Sequence, residues 1–396
     1  MSNSEEFIIS NITVYAENHT YENGYVKVSN GRIVEVGPIN ELIEEDTIRK
    51  IILFPGFSLL PGMIDVHIHG AAGADAMDAT EEALATMATA LPQEGTTSFL
   101  ATTMTQTRNA IEKALTNAAQ FIEEKQAAGK AEIVGIHLEG PFISPKRAGA
   151  QPPDYIIEPD LTLFKRWQEL AKGHIKLVTL APEEKNGLAL TSYLKQTGVT
   201  ASIGHSDATY QEVDEAIHAG ASHVTHLFNG MRGLHHREPG VLGAALLRHE
   251  LFTEIIADGI HARPEMIQLA YQQKTSKRMI LITDSLRAKC LKNGTYDLGG
   301  QAVHVDDTKA TLADGTLAGS ILKMKDAVKN VISYTHCGLE NIIEMTAVNP
   351  AKQLNIFDRK GSIAVGKDAD LVIVDEHLEV VMTFCRGKLA YQKEEE

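Results

Sequence analysis

Cysteine is scarce in this 396-residue chain: Cys290, Cys337 and Cys385 stand far apart, odd in number and without a CxxC pair. That usage excludes a disulfide framework and points to a reducing compartment, the cytoplasm. No apolar run approaches the length of a membrane span. Residues 1–6 are acidic and lack the basic n-region of a signal peptide. Positive charge is also short, since 37 Lys and Arg against 52 Asp and Glu leave a net −15. No global positive field exists to recruit nucleic acid or an anionic membrane. A small anionic substrate in a local basic pocket stays compatible. Low-complexity segments are missing too, and the one charge run, 394–396, reads as a solvated tail.

What is present is ordinary for a globular protein: 43% hydrophobic and 22% charged residues. The length suits one large barrel with an appendage, or two to three domains. Both ends are strand-like. Near the start, 7–9, 12–15, 25–28 and 32–36 alternate or cluster apolar residues, with Asn30-Gly31 as a hairpin signal. Near the end, 370–374 and 380–384 read the same way. This pattern predicts one small β-sandwich domain, 1–57 with 359–396, assembled from both termini. The middle, 58–358, alternates apolar runs with helical patterns. The strand candidates are 63–67, 97–101, 133–138, 175–180, 200–203, 223–227, 254–257 and 279–283. The helices expected are 81–91, 108–127, 160–171, 188–196, 210–218, 264–273 and 322–335, with Asp160 and Pro264 as start signals. Such alternation predicts a parallel sheet and a (β/α)8 barrel, with a doubly wound open sheet as the competing arrangement.

The polar residues at these strand ends carry the chemistry. The stretch 61–70 (PGMIDVHIHG) ends its apolar run on His67 and His69, which point to one face of a strand. An isolated HxH is as well explained by two solvated histidines. Glu139 ends the third strand, His205 the fifth and His226 the sixth; Asp258 and His261 follow the seventh, and Asp284 ends the eighth. Singly, Glu139 could cap a turn and Asp284 a helix. Together, four histidines and two carboxylates on the strand ends of one barrel describe a site. Four histidines around a glutamate suit one or two ions of borderline softness, Zn or Fe, and not Mg or Ca.

With these motifs the chain resembles the amidohydrolase superfamily and, more narrowly, the N-acetylglucosamine-6-phosphate deacetylases. The resemblance rests on PGMIDVHIHG, HLEGPF, GHSDA, HLFNGM with HHREPG, ADGIH, LITDS and LAGS, and spans nearly the whole chain. It implies metal-dependent removal of the acetyl group from N-acetyl-D-glucosamine 6-phosphate, giving D-glucosamine 6-phosphate and acetate, in amino-sugar catabolism and cell-wall sugar recycling. By the same resemblance Glu139, His205 and His226 form a metal triad, and His67 and His69 add ligands for a second ion. Glu139 takes the bridging place that a carboxylated lysine fills in other members. Asp284 matches the catalytic aspartate. His261 matches a substrate-binding position and is expected to hydrogen-bond the carbonyl oxygen. Asn229, Gly230 and Arg237 match substrate contacts, as do Ala150, Leu317, Ala318 and Gly319. A homodimer is implied, with Arg237 reaching the phosphate of the neighbouring site. One departure is Gln151, standing where some relatives carry a histidine, so no catalytic role is given to it. The rival readings are another amidohydrolase, acting on a cyclic amide or nucleobase, and a metal-free scaffold barrel.

Overall fold

The computed structural model describes residues 6–43, 47–53 and 56–394. The amino-terminal residues 1–5 and the last two acidic residues, 395–396, on which the sequence reading touched, lie outside them. Eight parallel strands form one sheet in chain order. They are β1 (Met63–Ile68), β2 (Thr96–Thr102), β3 (Glu132–Glu139), β4 (Ile175–Leu180), β5 (Thr200–Ile203), β6 (His223–Val224), β7 (Phe252–Ile256) and β8 (Met279–Ile282). Every residue of β1 and β2 is buried, as expected for strands covered by helices outside and side chains inside. The sheet closes just beyond β8. There the Asp284 N–H donates to the His67 carbonyl at 2.8 Å and the His69 N–H to the Ser285 carbonyl at 2.9 Å. Inside the seam Asp65 accepts from the Thr283 hydroxyl at 2.6 Å. The arrangement is a (β/α)8 barrel, and the open doubly wound sheet is excluded.

Seven helices lie where periodicity places them, within a few residues at each end. Side-chain oxygens of Thr80, Thr107, Asp160 and Thr209 cap four of them, satisfying first-turn N–H groups. Helical residues 339–353 were not expected from sequence, and three further features differ from it. The sixth strand is two residues long instead of five, because the backbone leaves the ladder to turn His226 inward. An additional helix, Gly240–Leu247, has the sequence GVLGAALL and is buried on nearly every side. It has no polar face, so amphipathic period could not reveal it. A three-stranded antiparallel unit (Gly294–Leu298, Gln301–Val305, Ala310–Thr311) follows β8.

The two ends share a second, mixed 8-stranded sheet. Its halves join where Ser58–Pro61 pairs antiparallel with Leu371–Val374. Asn30 and Gly31 both have positive φ, 52° and 77°, as a tight hairpin turn requires. The sheet curls onto itself, bringing Phe7 and Phe384 from non-neighbouring strands to 5.0 Å between ring centroids. Because the sheet takes in Ser58–Pro61, it reaches past the boundary at residue 57 expected from sequence. We propose the two-part division, a β-domain of both ends around a barrel, with the strand Ser58–Pro61 on the β side. No helix among the described residues is long and apolar enough to cross a membrane.

A buried ionic cluster clamps the two parts together. Lys360, with its side chain 1% exposed, meets Glu132 at the base of β3 at 2.8 Å and also pairs with Asp368 and Asp370. Arg359 bonds Glu132 at 2.8 Å and reaches Asp368 as well. Burial alone would raise the Glu132 carboxyl, but the two cations hold it down at about 2. A lowered folded-state value means that its contribution is complete above its ordinary 4.5 and is lost as pH falls toward 2. Replacing Lys360 with Met leaves Asp370 without its cation and Glu132 and Asp368 with Arg359 alone, and should cost about 3–5 kcal/mol in urea unfolding at neutral pH. At pH 3 the difference between variant and wild type should shrink.

Candidate active site

Five strands of the barrel deliver imidazoles and carboxylates to one point. His67 lies within β1 and His69 just after it, both buried. Glu139 is the last residue of β3. His205, His226 and Asp284 follow the ends of β5, β6 and β8 with φ of 47°, 31° and 48°. Left-handed backbone at a residue with a side chain costs about 1–3 kcal/mol, and such positions cluster at functional sites. Here the turn is what swings each side chain from the strand into the barrel mouth.

The distances are close. Glu139 Oε1 lies 3.2 Å from His205 Nε2, 3.3 Å from His226 Nε2 and 3.4 Å from His67 Nε2. Its Oε2 is 3.2 Å from His69 Nε2. Asp284 Oδ1 stands 3.4 Å from His67 Nε2 and 3.3 Å from His69 Nε2. The Nε2 atoms of His205 and His226 face each other at 3.1 Å.

What fills such a centre follows from the outer nitrogens. His205 Nδ1 is 2.8 Å from the Arg147 carbonyl, and His226 Nδ1 is 3.1 Å from the Asn229 carbonyl. A carbonyl only accepts, so both Nδ1 atoms carry the proton and both neutral rings turn bare Nε2 lone pairs inward. Two lone pairs facing each other beside a carboxylate call for a cation between them. His67 Nε2 is buried without a hydrogen-bond partner, which fits the same need. Donor separations of 3.1–3.4 Å match the edges of a tetrahedron with bonds of about 2.0–2.1 Å. Two of the sets able to hold an ion are His67, His69, Glu139 and Glu139, His205, His226. Without a metal the site gathers protons instead. Burial lowers His69, yet Asp284 and Glu139 outweigh it and raise the ring to about 10. Burial would raise Glu139, while His67, His205 and His226 hold it well below its ordinary value.

A cavity of about 240 Å3 opens over these groups. Of the positions expected from sequence, Ala150, Asn229, Gly230, His261, Leu317 and Gly319 line it. Ala318 is fully buried and does not. Arg237 lies outside its own cavity, exposed, with its guanidinium 2.8 Å from His236 Nε2. It makes no pair with Glu238, whose carboxylate accepts the N–H groups of Tyr210 and Gly240. The His261 ring is tied through Nδ1 to Asp258 at 2.6 Å; burial lowers its pKa but Asp258 raises it overall.

Several residues at the cluster and its cavity were given no role from sequence. Gln151 donates to Glu139 Oε2 at 2.8 Å and accepts from the Thr105 N–H at 2.8 Å, so it braces the central carboxylate. Glu254, fully buried in β7, bonds His67 and His223. Its signal was a lone acid inside an apolar strand. Met104, Leu298 and Thr316 line the cavity, and only tertiary contact reveals them.

The fold and the site define a metal-dependent hydrolase built on a (β/α)8 barrel. The model of the amidohydrolase family matches residues 58–390, and the chain belongs to that family. Within it the chain belongs with the N-acetylglucosamine-6-phosphate deacetylases. It is 51% identical to the deacetylase of that name from Bacillus subtilis (strain 168), over 394 residues and 99% of each chain. The one from Lysinibacillus sphaericus is 45% identical over 385 residues, 97% of this chain and 98% of that one. The structure of the Mycobacterium smegmatis enzyme, an aspartate-to-alanine mutant in complex with N-acetyl-D-glucosamine 6-phosphate, superposes with a TM-score of 0.91. It is 29% identical and covers 98% of this chain and 100% of that one.

Gly230 tests the packing of the centre. Its φ is 57°, and an added Cβ would stand 3.0 Å from His205 Nδ1 and 3.3 Å from His226 Cε1. Gly230→Ala should therefore lower thermal stability by about 1–3 kcal/mol and reduce bound metal at the His205–His226 half. Metal analysis alongside calorimetry checks both. Unchanged metal content would show that the loop yields instead of the histidines.

Proposed function

We infer that the chain hydrolyses the N-acetyl group of N-acetyl-D-glucosamine 6-phosphate, releasing acetate and D-glucosamine 6-phosphate. The observation that carries this reading is the convergence of four Nε2 atoms on Glu139 with Asp284 between His67 and His69. It occurs in a chain half identical to curated deacetylases along its whole length.

His67, His69, Glu139, His205 and His226 would hold one or two divalent ions, Zn or Fe by the borderline softness of the donors. When bound, the metal supplies Lewis-acid polarisation and lowers the pKa of water from 15.7 to about 7. The remaining work falls to the chain. Asp284 Oδ1, beside both histidines of the pair, accepts the proton of the attacking water as its oxygen bonds the amide carbon. As the carbon–nitrogen bond breaks, Asp284 returns that proton to the amine. His261, held by Asp258, turns Nε2 toward the cavity to hydrogen-bond the acyl oxygen as charge grows there. The Asn229 N–H is already given to the His226 carbonyl at 3.0 Å. Of the Asn229–Gly230 pair the Gly230 N–H then meets the phosphate. The residues lining the apolar side, Ala150, Leu317 and Gly319, would seat the sugar, with Ala318 behind them. The activity fits amino-sugar catabolism and cell-wall sugar recycling in the cytoplasm.

Acetate release from the phosphorylated sugar by metal-analysed protein is the direct test, with unphosphorylated N-acetylglucosamine as the control. Equal rates on both would mean that the phosphate is not recognised. Asp284→Asn keeps the shape and removes the base, so kcat should fall by about 10²–10⁴ with metal content nearly unchanged. Near-normal turnover would pass the proton role to another group.

Arg237 completes the reading as a residue of the neighbouring site in a homodimer. Its exposure, its place outside its own cavity and the exposed run 233–236 before it support this. A charge-assisted phosphate contact is worth about 1.5–3 kcal/mol, or roughly 10–100-fold in kcat/KM. Mixing Arg237→Ala with Asp284→Asn and allowing subunits to exchange should give more activity than the two variants apart. Exchange without such a gain would confine Arg237 to its own chain.

A further inference from the structure

Strand β7 carries none of the expected ligands, yet its Glu254 touches both halves of the centre. Glu254 is fully buried. Its Oε2 accepts from His67 Nδ1 at 2.9 Å and from the backbone N–H of His226 at 3.1 Å. Its Oε1 faces His223 Nε2 at 3.1 Å, and His223 Nδ1 in turn faces Gln353 at 3.3 Å. A carboxylate in a barrel interior is expensive to bury, and an apolar side chain would fill the space at lower cost. Three converging donors hold it there.

The bonds divide the histidines into two kinds. His205 and His226 give their outer protons to neutral carbonyls of Arg147 and Asn229. His67 gives its own to a full negative charge. An imidazole backed in this way is fixed in the tautomer that leaves Nε2 as ligand, and it is a stronger donor. His137 also packs edge-on against the His67 ring at 4.5 Å, with its Nε2 engaged by Thr179 at 2.7 Å. His137 therefore offers no acceptor charge to replace Glu254.

We propose that Glu254 is a positioning residue of the metal centre. It fixes the His67 ring so that Nε2 faces the ion held with His69, and it pins the backbone of His226 in the other half. The inference rests on the binuclear reading given above. It makes the two halves unequal: the His67–His69 half depends on a carboxylate from a strand without ligands, while the His205–His226 half keeps its carbonyl partners without it.

The test is Zn2+ binding to the full-length protein and to Glu254→Gln, measured by chelator competition and elemental analysis, with circular dichroism to establish the fold. Wild type should hold two equivalents. Glu254→Gln should keep one and bind the second about 10–100-fold more weakly. Two equally tight equivalents in the variant would overturn the inference and leave the binuclear reading standing. A wild type with one equivalent would instead overturn the binuclear reading. The nitrogen-15 spectrum of histidine-labelled wild type decides the role of Glu254 even then, or if the variant does not fold. A protonated, hydrogen-bonded Nδ1 on His67 is expected. His67 bound to metal through Nδ1, or with Nδ1 bare, would sink the proposal.

Discussion

Two backbone hydrogen bonds close the barrel and fix the site in the same step. Asp284 N–H to the His67 carbonyl and His69 N–H to the Ser285 carbonyl join β8 to β1 at the level where the side chains leave the ladder. A closed sheet has no edge to slip along, so the spacing between the histidine pair and the facing aspartate is set by the backbone. The Asp284 carbonyl is also taken, by the Ser320 N–H at 2.8 Å. These fixed partners are what sustain its left-handed φ of 48°. His67, His69 and Asp284 are thereby tied to one another through the backbone of the seam.

Beside that seam the chain buries three carboxylates that no Lys or Arg pairs with among the described residues. Glu139, Asp284 and Glu254 are all buried at the barrel mouth, in a protein already at net −15. Three of the nearby rings, His205, His226 and His67, commit their outer protons to Arg147, Asn229 and Glu254, so their inward lone pairs add to the demand for a cation. Gln151 belongs to this scheme. Its neutral amide donates to Glu139 and accepts from the loop after β2, bracing the carboxylate without adding charge to a site that already carries too much of one sign.

The cavity over the histidine and carboxylate cluster has a different origin. The barrel supplies the reactive floor, while the segment after β8 supplies Leu298, Thr316, Leu317 and Gly319 as a wall. That segment docks on other loops: Gln106 bonds the Gly299 carbonyl at 2.9 Å and Gln301 bonds the Ala150 carbonyl at 2.7 Å. The wall of the cavity is therefore built by a different part of the chain from the closing seam.

The local pattern of the chain carried a good part of this. Apolar runs ending in His67-x-His69, Glu139 and Asp284 announced the strands and the cluster that meets at their ends, because covered parallel strands must be apolar and a barrel gathers polar side chains at its mouth. Asp160, Pro264 and Asn30-Gly31 marked boundaries through capping and turn geometry that depend on neighbours in sequence. Tertiary structure alone decided the rest. Gln151 became a brace and Glu254 the support of His67 because residues 12 and 187 positions away meet them in space. The helix Gly240–Leu247 was hidden because burial on nearly all sides erases the periodicity that betrays a helix. Sequence by itself determined which residues could bind a cation, since ligand chemistry resides in each side chain. Which nitrogen faces inward, and which charge stands behind it, was settled only by packing, because a tautomer is chosen by the partner on the far side of the ring.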